Sequence, residues 1–336
     1  MTEAAGSVVV GVDGGNSKTD IALAASNGAL LGAVRGPTAS HQAVGLVEGL
    51  RRLGELVRQV APSGAGSPDG PVADVGVYAL AGADLPADFR SLRSGLDAAR
   101  LSRETVVVND GAAALRAGTR LGWGIALVCG AGVNAYGRSP DGRVARLAGL
   151  GETSGDWGGG PAIGLAALGA AVRARDGRGG RTALERVVPA HFGVRRPATV
   201  TAAVETGRIP QERLDELAPL VFETAASGDE VARAIVERQS EELATMAAAL
   251  ARRLGLTRRE VDVVLSGGVF KGYDPAFLPD LTSRVRRHVP RARLVRVDGP
   301  SVVGATLLAL DMLSGDLVGS GVEARLREAL KAWESR

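Results

Sequence analysis

The segment at residues 8–20, VVVGVDGGNSKTD, restricts what this chain can fold into more than any other. Val8, Val9, Val10 and Val12 are β-branched and favour a pleated backbone, while Gly14 and Gly15 let the chain reverse where a side chain would clash. A tight hairpin is the expected result. Its tip offers the backbone N–H groups of residues 14–17, the hydroxyls of Ser17 and Thr19 and the Lys18 ammonium, donors that suit phosphate. Asp13 offers a carboxylate, which suits a hydrated Mg²⁺.

A second hairpin of the same type occupies residues 125–137, IALVCGAGVNAYG, with Gly130, Ala131 and Gly132 at its turn. Two such hairpins predict a two-fold repeat. Periodicity and punctuation place strands at 7–13, 19–25, 29–35, 74–80, 105–109, 124–129, 133–138, 143–147, 261–266 and 293–297. Helices are expected from 112, over 161–175, from Asp229 to about Leu254 with Gly255 as its stop, and over 322–333. An antiparallel meander followed by helices and further strands, twice over, is a duplicated α/β fold with a ligand in the cleft between its halves. The segment 62–71, PSGAGSPDGP, reads as a flexible surface loop without chemistry.

A chain of 336 residues with 45% hydrophobic content suffices for two domains. No run approaches the roughly 18 apolar residues of a membrane span. The N-terminal MTEAAGS lacks the basic and apolar regions of a signal peptide, so a cytoplasmic location is expected. The single cysteine, Cys129, excludes disulfides within the chain and cysteine-ligated iron–sulfur clusters, and its place in a strand suits a small packed hydrophobe. The net charge of +3 does not point to nucleic acid: only Lys18, Lys271 and Lys331 of the 40 basic residues are lysines, and the arginines are scattered among 37 acidic residues.

Four more segments carry possible chemistry. In VVVNDG, residues 106–111, a buried strand ends on Asn109 and Asp110, where a carboxylate can accept a proton or cap the following helix. The segment 149–160, GLGETSGDWGGG, combines glycines with Glu152 and Asp156, whose carboxylates can accept hydrogen bonds. It can equally be a turn before a helix, with Asp156 at that helix's positive end. SGGVF at 266–270 follows the apolar strand VDVVL, and Gly304-Ala305 open a helix after Pro300-Ser301.

On these motifs the chain resembles, over nearly its whole length, the acetate and sugar kinase, heat-shock chaperone and actin superfamily. Within it the resemblance is to the BadF/BadG/BcrA/BcrD ATPase family, N-acetylglucosamine kinase-like. The resemblance implies a duplicated ribonuclease H-like (actin-like ATPase) fold, two domains around a nucleotide cleft. The first would be 1–117, completed by the C-terminal helix 305–336, and the second 118–304. It implies ATP and Mg²⁺ as cofactors. Asp13, Gly14, Gly15, Asn16, Ser17 and Lys18 correspond to the first phosphate loop, with Asp13 organising the metal. Gly130, Ala131 and Gly132 correspond to the second, while Gly267, Gly268 and Phe270 lie in the adenosine motif. Asp110 takes the position of the catalytic base, which would receive the proton of a sugar hydroxyl attacking the γ-phosphoryl group. Gly149, Leu150, Gly151, Glu152 and Asp156 correspond to the sugar loop, and Ser40, His41 and Asp84 to further substrate loops. His41 can also be an ordinary surface histidine.

The chain departs from the family pattern at three places. Ala131 stands where a threonine is common, Leu150 where a tryptophan is expected beside the sugar, and Trp157 where an acidic residue is expected. Trp157 could restore the apolar surface that Leu150 gives up. The implied activity is ATP-dependent phosphorylation of an amino sugar or related hexose by a protein that forms dimers and binds neither membrane nor nucleic acid. The missing hydroxyl at Ala131 keeps open an ATP-binding, sugar-responsive regulator, or an ATPase subunit without kinase activity.

Overall fold

The computed structural model describes residues 6–61, 70–271 and 274–335. The segment read as a surface loop, 62–71, lies outside the described residues apart from its last two. The chain divides into two compact units, residues 1–126 with 295–336, and residues 127–294.

The sheet of the first unit is built from β1 (Val8–Gly14), β2 (Lys18–Ala25), β3 (Leu30–Pro37), β4 (Ala73–Leu80) and β5 (Ser102–Asn109), in the order β3-β2-β1-β4-β5. β1, β2 and β3 form an antiparallel meander, whereas β4 runs parallel to β1 and β5 parallel to β4. The near-continuous apolar runs of β1 and β4 arise because both faces of the sheet are covered. Val9, Ala22, Ala24, Val75, Val77 and Ala79 join a core completed by the helices Val302–Ser314 and Ser320–Glu334. Val10, Val12, Ile21, Leu23, Tyr78 and Leu80 join another, completed by the helices Leu46–Gln59 and Pro86–Ala99.

Two close approaches bind the helix Val302–Ser314 to this unit. A Cβ on Gly11 would come within 2.3 Å of Thr306 Oγ1, and one on Gly304 within 1.9 Å of the Ala113 carbonyl. Any side chain at either position would force the helix away from β1 or from the helix Asp110–Gly118. The C-terminal helix is fixed by a buried ionic cluster. Arg116 meets Asp311 at 2.6 Å and Glu323 at 3.0 Å, and Glu323 also binds Arg120 and, at 2.7 Å, Arg327.

The second sheet contains β6 (Gly124–Cys129), β7 (Val133–Arg138), β8 (Val144–Arg146), β9 (Val261–Ser266) and β10 (Ala292–Arg296), in the order β10-β9-β6-β7-β8. Counted from its own first strand, that is the order of the first sheet, so the expected duplication is present. The boundary between the units falls within β6 and within β10. All ten expected strands form, with β5 beginning three residues early because Ser102 pairs with Ala73. The chain from Gly159 to Leu254 is mainly helical, beginning with Gly159–Asp176 and ending with Glu230–Leu254. That last helix is capped by Asp229, whose carboxylate accepts from Ala232 N at 2.9 Å, and stops at Gly255, φ 69°.

Candidate active site

Parallel strands collect their C-terminal ends along one edge of a sheet, and in open α/β sheets ligands bind beyond that edge. In the first unit β1 delivers Asp13 and Gly14 there, β4 leads into Ala83 and Asp84, and β5 ends on Asn109 just before Asp110. The candidate base, the candidate metal organiser and one candidate substrate residue therefore come from three adjacent strands.

Asn109 settles which residue caps the helix that follows. Its side chain accepts from Gly111 N at 3.0 Å, so Asp110 is the first helical residue and does not carry the cap. The Asn109 amide also donates to Asp84 Oδ1 at 3.0 Å and to the Ala83 carbonyl at 3.3 Å. Asp84 and the helix bearing Asp110 are thereby tied to a single amide.

Around Asp13 the field is negative. Burial, followed by the charges of Asp110 and Asp20, pushes its carboxyl up from 3.8 to about 6, against the Ser301 hydroxyl and Lys18, which pull it down. Ser301 Oγ donates directly to Asp13 Oδ2. Asp20, paired with Asp13 across β1 and β2, is fully buried and neutralised by Arg35 at 2.6 and 2.9 Å and by Lys18 Nζ at 2.8 Å. The Lys18 ammonium, expected at phosphate, is thus turned onto Asp20. Asn16 and Ser17 are exposed at the hairpin tip. The Gly15 N–H is not free for a ligand as the sequence suggested, because it closes the turn by donating to the Lys18 carbonyl at 2.9 Å.

The hairpin is laced to the segment carrying Ser40 and His41. Thr38 Oγ1 donates to the Gly15 carbonyl at 2.9 Å, and Thr19, rather than offering its hydroxyl at the tip, accepts from Ala39 N at 3.0 Å. Ser40 is almost wholly buried, yet its hydroxyl neither caps the short helix His41–Val44 nor finds another partner among the described residues. His41 Nδ1 is likewise buried and unpartnered, while Nε2 lies 3.6 Å from Asp88. Buried polar atoms without partners are uncommon and suit groups that complete their hydrogen bonds on a ligand.

In the second unit three glycine-rich segments meet. The Gly130 N–H donates to the Gly132 carbonyl at 2.9 Å, and the Gly160 N–H to the Gly130 carbonyl at 2.7 Å, joining the 130–132 loop to the end of the 149–160 loop. Gly267, φ 112°, lies so close to β6 that a Cβ would come within 2.2 Å of the Cys129 carbonyl. Gly267 and Gly268 are exposed, whereas Phe270 points inward and stacks on Phe277 at 6.2 Å. The Phe270 ring therefore anchors the 266–270 segment, and its backbone N–H closes a turn by donating to the Gly267 carbonyl at 3.2 Å. Burial pushes the Cys129 thiol up to about 12, leaving an inert packed group.

The 149–160 loop is shaped by Gly149, Gly151 and Gly155, all at positive φ, around a short 3₁₀ turn Gly151–Ser154. Ser154 Oγ donates to Asp156, and its oxygen accepts from Leu150 N at 2.9 Å. Leu150 and Glu152 are exposed. One face of Trp157 is covered by the Arg238 guanidinium, 4.1 Å from the ring centroid, which removes that face from any stacking role.

Gln239 is absent from the residues marked in the sequence, and Ser301 is marked there only as the residue before a helix. Ser301 immediately precedes a helix, a place that reads as capping. Gln239 left a fainter signal, as a polar residue one turn from both Ile235 and Leu243 in an otherwise apolar stripe.

The chain belongs to the BadF/BadG/BcrA/BcrD ATPase family, whose model matches residues 10–309. It is 25% identical over 312 residues to an N-acetylmuramic acid/N-acetylglucosamine kinase from Clostridium acetobutylicum, covering 90% of this chain and 97% of that one. It is 27% identical over 320 residues to an N-acetyl-D-glucosamine kinase from Dictyostelium discoideum, covering 90% and 98%. A solved structure from Chromobacterium violaceum, described as a candidate N-acetylglucosamine kinase, superposes with a TM-score of 0.66 at 26% identity over 91% of this chain and 100% of that one. A glucokinase of the ROK family from Streptomyces griseus, in complex with glucose and AMPPNP, shares the fold at a TM-score of 0.56 and 16% identity, over 90% and 99%. The fold is the duplicated ribonuclease H-like, actin-like ATPase fold.

Proposed function

We propose that the protein is an ATP-dependent kinase of an amino sugar of the N-acetylglucosamine type, with Asp110 as general base. The observation that carries this reading is the division of labour at the end of β5: Asn109 makes the capping bond, so Asp110 is not needed for it. A sugar hydroxyl hydrogen-bonded to the Asp110 carboxylate becomes more nucleophilic as it attacks the γ-phosphorus, and the carboxylate takes its proton as the P–O bond forms. Asp84, held by Asn109, and the unpartnered Ser40 hydroxyl and His41 Nδ1 are the groups proposed to orient the sugar. Glu152, Asp156 and the backbone of Gly149, Leu150 and Gly151 are proposed to add further contacts.

Among the described residues no group of three or more His, Cys, Asp or Glu could hold a metal ion alone. That suits a cation shared between one or two carboxylates and nucleotide phosphates. The crowding of Asp13 by Asp110 and Asp20 makes Asp13 a fitting ligand for Mg²⁺, which when bound would neutralise phosphate charge. The nucleotide contacts proposed from the family resemblance are Gly14, Asn16, Ser17, Gly130, Ala131, Gly132, Gly267 and Gly268. A homodimer is proposed from the family resemblance alone, and a cytoplasmic setting is proposed as well. Among the described residues no helix is long and apolar enough to cross a membrane.

The test is ADP formation with ATP, Mg²⁺ and a panel of hexoses and amino sugars. Stimulation by N-acetylglucosamine or a close relative is the expected result. Slow hydrolysis indifferent to every sugar would favour the regulator suggested by the methyl group of Ala131, where a hydroxyl is common.

A further inference from the structure

Gln239 lies in the long helix Glu230–Leu254 and is 0% exposed, among Val236, Leu243 and Ala244. A primary amide in such a place is costly unless its hydrogen bonds are made. Its Oε1 accepts from Gly159 N at 2.9 Å, and because a donor must face oxygen this bond fixes which way the amide points. Nε2 then finds no acceptor among the described residues. Methionine or leucine would fill the same space without leaving a buried donor unmatched, so packing alone does not explain a glutamine.

The residues it touches explain it better. Gly158 and Gly159 adopt φ of 142° and 81°. A Cβ on Gly158 would lie 2.7 Å from both Nε2 and Oε1 of Gln239, and one on Gly159 would lie 2.8 Å from the Gly132 carbonyl and 2.9 Å from that of Gly130. The two glycines are wedged between the Gln239 amide on one side and the 130–132 loop on the other. The next residue, Gly160, is hydrogen-bonded to Gly130 at 2.7 Å.

We infer that Gln239 is a positioning residue that holds Gly159, and through it the end of the 149–160 loop, in register with the 130–132 loop. Its consequence for turnover rests on the kinase reading. Its effect on the loop does not. Movement of Gly159 shifts the backbone of the proposed sugar loop and that of the second phosphate loop together, because both pack against the same two glycines.

Amide hydrogen exchange at Gly159 in the full chain, compared among wild type, Gln239→Met and Gln239→Glu, tests this directly. Gln239→Met keeps the volume but removes the acceptor, and should speed Gly159 exchange by about tenfold or more, while Gln239→Glu keeps an acceptor and should preserve protection. Gln239→Asn, too short to reach Gly159, replaces the methionine variant should that one fail to fold. In steady-state assays the methionine variant should raise KM for the amino sugar about tenfold with a smaller change in kcat, and the glutamate variant should restore it. Unchanged exchange in Gln239→Met, or equal acceleration in Met and Glu variants, overturns the inference, as does faster exchange with an unaltered KM. A wild type that transfers no phosphoryl group but shows the predicted exchange pattern refutes the kinase reading and leaves the role of Gln239 standing.

Discussion

The two units share one strand order and differ in what they place at the turn after their first strand. In the first, β1 ends on Asp13 and Gly14, with Asp20 opposite and Asp110 adding its charge. In the second, β6 ends on the inert Cys129, against which Gly267 packs, and Gly130, Ala131 and Gly132 follow, held against Gly159 and Gly160. One half concentrates carboxylates and the other concentrates bare backbone. A duplicated scaffold thus fixes where a loop stands without fixing its chemistry. The charged half suits metal handling and proton transfer; the glycine-rich half suits close approach to phosphate and nucleoside.

Three substitutions and one control probe that difference. The largest effect is expected at Asp110, where Asn109 keeps the helix cap and Asp110→Asn should lower sugar-dependent turnover by about 10²- to 10⁴-fold with nucleotide affinity little changed. Retained turnover would remove Asp110 from the role of base. Next is Gly267→Ala, which sets a Cβ within 2.2 Å of the Cys129 carbonyl at a φ of 112° and should cost about 3 kcal/mol or more in denaturant unfolding. Gly132→Ala, with nothing within 4 Å of the added Cβ, is its control and should leave stability nearly unchanged.

The smallest effect, on Asp13→Asn, has the opposite sign. The folded carboxyl titrates near 6 against an ordinary 3.8, so the folded state holds its proton more tightly than the unfolded state does. The wild type therefore loses stability as pH rises from about 4 to 6 and keeps that deficit above 6. The neutral variant escapes it, and should be more stable than wild type by about 1–2 kcal/mol at pH 8 and no more stable at pH 4. Equal stability of the two proteins at pH 8 would show that Asp13 is not crowded by its neighbours.

The sequence was most informative where chemistry and backbone preference coincide. Every strand was legible from β-branched runs and glycine punctuation, and the helix Glu230–Leu254 from its apolar spacing together with Asp229 and Gly255. The duplication followed from two similar hairpins. Partnerships across the fold were not legible. Lys18 reads as a phosphate donor until Asp20, two residues on, is seen to hold it, and the Gly15 N–H reads as free until the turn claims it. Phe270 reads as part of a nucleoside motif, and only packing reveals its ring against Phe277. Ser301 meets Asp13 from 288 residues away, a pairing no local pattern encodes. Gln239 interrupts an apolar stripe, but the reason for the interruption lies in Gly159.

Transfer of a phosphoryl group to a sugar is read from the mass of the product. Wild-type protein incubated with ATP, Mg²⁺ and N-acetylglucosamine should yield the sugar carrying one added phosphoryl group in step with ADP, and Asp110→Asn should yield almost none. ADP appearing with inorganic phosphate and no phosphorylated sugar, across the whole panel of amino sugars and hexoses, would rule out a sugar kinase.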